Sequence, residues 1–236
     1  MLFDLRGTGR RRTVKLVYVA LAVIFVLGSL IGIGSGYDLG DVFGGGGGSA
    51  NDQFSKQEQA LEKRIQRNPQ DADTWARLAQ VRYQSVTSGG GYDSQTQRFS
   101  AEGRKGLRQV DQAWSRYLAL DPRRPNADVA AVMVNAYVIG LNDPAKAAAA
   151  QEIVAEARPS AAAFQQLAQL SYLAGQTRKG DLAAERALAG TPKDLRASVK
   201  EQLDAAKQQA AQQAGQAGAG GAASGGTPPT GTAPGG

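Results

Sequence analysis

The chain has 236 residues, of which 42% are hydrophobic and 30 are glycine, and its formal net charge is +6. It contains neither cysteine nor histidine, which excludes disulfides, thiolate nucleophiles, Cys/His zinc sites and a Ser-His-Asp triad. Catalysis would have to rest on carboxylates, Lys, Tyr, Ser or an oxygen-held metal. No such constellation stands out, so the chain does not read as an enzyme, and no cofactor or metal is expected.

Residues 1–15 carry five basic side chains (Arg6, Arg10, Arg11, Arg12, Lys15) against Asp4, a net of +4, while the rest of the chain carries 22 basic against 20 acidic. The basic character is therefore a short N-terminal feature, and the bulk of the protein lacks the positive field that nucleic-acid binding needs. Leu16 to Ile33 then reads LVYVALAVIFVLGSLIGI, uncharged throughout. As a helix it would span roughly 27 Å, close to the hydrocarbon thickness of a bilayer. We expect a transmembrane helix over residues 16–36, with Tyr18 and Tyr37 near the two interfaces. No Lys or Arg occurs from residue 16 to residue 55. The positive-inside bias thus places the N-terminus in the cytoplasm and the remainder on the extracytoplasmic side of a cell membrane, as a single-pass protein. A cleaved signal peptide is the competing reading, but the apolar run is long for one and lacks an A-x-A-like site. Gly28, Gly32 and Gly36 form a small-residue stripe that would let two such helices approach as a homodimer, although glycine is common in membrane helices for other reasons.

Residues 37–51 include five consecutive glycines and read as a flexible linker. At the other end, residues 213–236 are an uncharged Gly/Ala/Pro stretch with no large apolar side chain. Such a segment cannot bury enough surface to offset its ordering entropy, and it reads as a disordered tail.

Between them, residues 52–212 show helical apolar spacing, with Pro69, Pro122, Pro159 and Pro192 closing segments. An internal repeat is visible. With Trp75, Val129 and Phe164 as anchors, Leu78, Val132 and Leu167 follow at three residues, and Ala79, Met133 and Ala168 at four. Tyr83, Tyr137 and Tyr172 follow at eight. One helix–turn–helix unit is thus repeated about three times. The segment Gln57–Pro69 reads as an isolated second helix ahead of the first full copy, and residues 193–212 as a polar capping helix.

These residues resemble the tetratricopeptide repeat (TPR) over about two-thirds of the chain. Phe164, Leu167, Ala168, Tyr172, Gly175, Ala187, Leu188 and Pro192 follow its pattern through a full copy, and Leu120-Asp121-Pro122 is a family-like ending. The resemblance implies an all-α solenoid whose first helices line a groove for peptide segments of other proteins. On that basis Arg77, Gln80, Tyr83, Val134, Tyr137, Gln166, Gln169 and Tyr172 are the expected groove residues. For the tyrosines, packing between helices is the stronger alternative, because their spacing is the family's structural spacing. The paired Lys and Asn with which some relatives grip a terminal carboxylate have no counterpart here. Two departures stand out. The first copy carries an insertion near residues 87–103, expected as a Gly-rich loop, and Met133 replaces a small residue in the middle copy.

Elsewhere Asp71, Asp73 and Asp121 read as helix caps, and Glu152/Glu156 lack a histidine to complete a metal site. Arg outnumbers Lys 18 to 9, a usage associated with GC-rich bacterial genomes. The layout resembles membrane-anchored TPR proteins of the bacterial cell envelope. It implies a scaffold for protein–protein contacts, with a chaperone or assembly role near the export machinery as the specific expectation. A structural recruiter for a cell-wall synthesis or division complex is the alternative.

Overall fold

Prolines and capping side chains set the helix boundaries. The structure, a computed structural model, describes residues 50–222. Eight α-helices follow in order: α1 (Ala50–Arg67), α2 (Ala72–Ser88), α3 (Ala101–Ala119), α4 (Ala127–Asn135), α5 (Pro144–Ala157), α6 (Ala161–Leu173), α7 (Thr177–Gly190) and α8 (Arg196–Ala222). Pro69, Pro122, Pro159 and Pro192 all fall in the gaps between helices, where a residue lacking an N–H disrupts nothing. Asp71, Ser100, Asn126, Asp143 and Ser160 each accept a hydrogen bond from the exposed N–H groups that open the following helix. The expected cap at Asp71 is therefore present.

The fold is all-α in its essentials. Helices pack mainly on their neighbours in the chain, as helical hairpins do: α2 with α3, α4 with α5, and α6 with α7. Helix α1 leans on α2, and α8 packs on α6 and α7. One apolar cluster joins Leu78, Leu107, Val110, Trp114, Val129 and Met133, and it draws on α1 through Ile65 and on α6 through Leu170. A second joins Leu167, Tyr172, Ala183 and Leu203 and is closed by Val199, Ala206 and Ala210 of α8. Met133 is fully buried in the first cluster, where its flexible thioether chain fills space that a small residue would leave.

Three stretches differ from expectation. The insertion near 87–103 is not an open loop. Helix α2 continues to Ser88, and a two-stranded antiparallel hairpin follows, β1 (Tyr92–Asp93) with β2 (Arg98–Phe99). Its aromatic pair, Tyr92 and Phe99, lies with ring centroids 4.9 Å apart, and Phe99 is buried in the first cluster. Asp93 closes the turn by accepting from the backbone N–H of Gln95 and Thr96 and from the Thr96 hydroxyl. The hairpin is stitched to α3 by backbone: Ser100 N–H donates to the Gly91 carbonyl at 3.0 Å. A Cβ on Gly103 would run into that same carbonyl oxygen.

The first helix of the middle copy is the second difference, since α4 continues into a π-helical turn over Ala136–Leu141. Val129 to the left-handed Asn142 is 13 positions, whereas Phe164 to the left-handed Gly175 is 11. A wider helical turn is how a helix absorbs extra residues without breaking. The third difference is at the C-terminus, where α8 runs on to Ala222 rather than ending near residue 212. Residues 213–222 are Ala, Gly and Gln, and they continue the α8 helix, whose earlier turns pack on α6 and α7, against the cost of their glycines.

The membrane segment expected at 16–36, its glycines Gly28, Gly32 and Gly36, most of the 37–51 linker and the tail beyond Ala222 lie outside the described residues. Among the described residues no helix is long and apolar enough to cross a membrane.

Candidate functional site

Two of the repeated tyrosines are joints between helices. Tyr137 is 2% exposed, and its phenol donates to Asp111 Oδ1 of α3 at 2.6 Å. Lys146 of α5 holds the same carboxylate at 2.8 Å and lies over the Tyr137 ring, 5.7 Å from its centroid. Tyr172 is 5% exposed and donates to Asp181 Oδ1 of α7 at 2.9 Å. Lys207 of α8 holds Asp181 at 2.7 Å and lies 5.9 Å from the Tyr172 centroid. Burial, reinforced by the bond to a carboxylate, pushes both phenols above their ordinary pKa. The Lys207 and Tyr172 bonds hold Asp181 below the usual carboxylate range.

Asp111 and Asp181 occupy equivalent positions, each eleven residues before its closing proline, Pro122 or Pro192. The same offset from Pro159 falls on Ala148. Tyr137 reaches back to the preceding hairpin for its acceptor, whereas Tyr172 finds one within its own.

The eight expected groove residues therefore separate. Val134, Tyr137 and Tyr172 are buried and offer no open surface, which corrects the expectation for those three. Tyr83 is half-buried against the first apolar cluster, and desolvation raises its pKa. Gln166 and Gln169 are half-buried on α6. Arg77, which is exposed, and Gln80, half-buried, line an open cleft of about 350 Å³ between α2 and the start of α4. Arg64, Asp73, Asn126 and Val129 complete its walls. Sequence reasoning missed Arg64 and Asn126. They come from α1 and from a cap, outside the first-helix pattern that picked the others.

Two further clefts lie at equivalent places in the repeat. One, about 750 Å³, opens between α1 and α3 over Trp75 and Leu78. The other, about 510 Å³, opens between α5 and α7 over Phe164 and Leu167. Arg82 fastens the first, with its guanidinium on Glu58 at 2.7 Å and Glu62 at 2.6 Å. In the second, Lys179 reaches Glu152 at 2.7 Å, and Arg186 lies 5.4 Å from the Phe164 centroid. Among the described residues no group of three or more acidic side chains is placed to hold a metal ion. The clefts at α2/α4 and α1/α3 carry guanidinium, carboxylate and amide groups, whereas the α5/α7 cleft carries carboxylate and basic groups over an apolar floor and no amide.

Comparison of this chain with family models, with curated protein sequences and with solved structures found no match.

Proposed function

We propose that this protein is a membrane-anchored scaffold of the tetratricopeptide type that binds segments of other polypeptides on the extracytoplasmic side. The observation that carries the reading is the open cleft between α2 and α4, where Arg77 and Gln80 stand together from successive turns of one helix. Guanidinium and amide groups can hydrogen-bond a peptide backbone and its polar side chains. The anchor rests on the uncharged Leu16–Ile33 run behind its arginine cluster. Helical hairpins closed by prolines and anchored on Trp75 and Phe164 support the repeat type. The function is binding rather than catalysis, and unfolded or newly exported segments, with their exposed backbone, are the clients that such a polar cleft suits.

The test uses the full chain in detergent and, as probe, a permanently unfolded protein (reduced, carboxymethylated albumin). Binding is expected, with at least fivefold loss in an Arg77→Ala/Gln80→Ala variant whose circular dichroism is unchanged. A variant that binds as well as the parent would refute the cleft as the site. Orientation is tested separately: protease added to intact spheroplasts should digest residues 50–222, and full protection would overturn the extracytoplasmic placement.

A further inference from the structure

The cleft between α5 and α7 has an unusual distribution of charge. Its α5 wall is acidic, with Glu152 and Glu156, and its α7 wall is basic, with Arg178, Lys179 and Arg186. Phe164 and Leu167 form the floor between them. On the basic rim stands Leu182, 55% exposed and the most exposed of the large apolar side chains among the described residues. Only part of the charge is satisfied internally. Lys179 pairs with Glu152, but among the described residues neither Arg178 nor Glu156 forms an ion pair or a side-chain hydrogen bond.

An interface between two identical copies related by a twofold axis must be complementary to itself: whatever one half offers, the same patch must accept. A cleft with one acidic wall, one basic wall and an apolar knob beside an apolar floor meets that condition. A partner of uniform charge would meet one favourable wall and one repulsive wall, so the pattern selects against it.

We propose that this cleft is a self-association face, in which α7 of a second copy lies across it. Leu182 of each copy seats against Phe164 of the other, and Arg178 of each meets Glu156 of the other. The contact is independent of the membrane segment and of the α2/α4 cleft. It would bring two peptide-binding clefts together on one assembly.

The experiment is sedimentation of the full chain in detergent, with the micelle contribution matched out by solvent density. The parent is expected to sediment as a dimer in the micromolar range. Leu182→Asp changes an exposed side chain, so it should keep the parent's circular dichroism and melting temperature while weakening the dimer at least about tenfold. Arg178→Glu alone and Glu156→Arg alone should each weaken it similarly, and the Arg178→Glu/Glu156→Arg double variant should restore it. A monomeric parent overturns the proposal. So does a dimer indifferent to Leu182→Asp, which would be held elsewhere, or charge reversals that simply add. The Arg77→Ala/Gln80→Ala variant should dimerise normally, so failure here is distinguishable from failure of the peptide-binding reading.

Discussion

Tyr137 donates its phenol to Asp111 at 2.6 Å, across the boundary between two helical hairpins. A second helix joins through the same carboxylate, which also holds Lys146. One acidic group thus connects α3, the π-helical turn and α5. The bond is worth more than an ordinary surface contact, because the donor is buried and the acceptor is charged.

Removing that hydroxyl gives the first prediction. Tyr137→Phe should cost about 1.5–3 kcal/mol in urea unfolding, the range for a bond to a charged group. Tyr172→Phe should cost clearly less. Its acceptor, Asp181, is 44% exposed against 19% for Asp111, so water replaces the lost donor more easily. Equal losses would mean that the two joints are energetically alike.

Stability should fall at both extremes of pH, for opposite reasons. Tyr137 and Tyr172 have folded-state pKa values above the ordinary 10.0, so their contribution is fully present below pH 10.0 and is lost as pH rises through the raised values. The melting temperature should hold up to about pH 10.0 and then drop as pH rises toward the raised values, with the last tyrosinate absorbance appearing in step with unfolding. Asp71 is lowered below its ordinary 3.8, chiefly by the Thr74 hydroxyl, and Asp181 chiefly by Lys207. Their contribution is present above pH 3.8 and is lost as pH falls below it. Tyrosinate absorbance that rises fully while the circular dichroism stays native would contradict the alkaline half.

Gly103→Ala should destabilise although it replaces a helical glycine. Helix propensity alone would favour the change by about 1 kcal/mol. The new methyl, however, meets the Gly91 carbonyl, a backbone atom with no rotamer in which to retreat. A net loss of about 1–3 kcal/mol is expected from overpacking. Gly215→Ala, where nothing lies within 4 Å, should instead be neutral or mildly stabilising. Chemical denaturation of the two variants side by side checks both signs.

Asp71 caps α2 through Thr74 N–H at 3.2 Å and Thr74 Oγ1 at 2.6 Å, and it also meets Arg64 at 3.0 Å. Asp71→Ala should cost about 1 kcal/mol. Asp71→Asn should recover most of that, since the cap survives and the lost ion pair involves an arginine that is 63% exposed. If Asn behaved like Ala, the charge rather than the cap would hold the helix start.

Helix boundaries were legible wherever proline marked them, and the anchors Trp75, Val129 and Phe164 each fell on the first helix of a hairpin. The hairpin at Tyr92–Phe99 was not legible, because strands of two residues are too short to show alternation. The π-helical turn was invisible for a different reason: it shows as a count of positions between Val129 and Asn142, not as a residue type. The tyrosine spacing left packing and groove-lining both open, and only the geometry shows Tyr137 and Tyr172 buried between helices. Their acceptors could have been found by aligning on the closing prolines, which places Asp111 and Asp181 in register. The Arg77/Gln80 cleft was half legible, since its remaining walls come from helix ends that periodicity does not address.

The hairpins are not interchangeable bricks. An array lengthened by duplicating residues 161–190 would carry an acid at the acceptor position in every added unit, because Asp181 travels with Tyr172. One lengthened by duplicating residues 127–157 would set Ala148 where the next phenol needs a carboxylate, stranding a hydroxyl in a dry interior. Anyone splicing this scaffold to a new length should therefore copy its last hairpin and leave the middle one single.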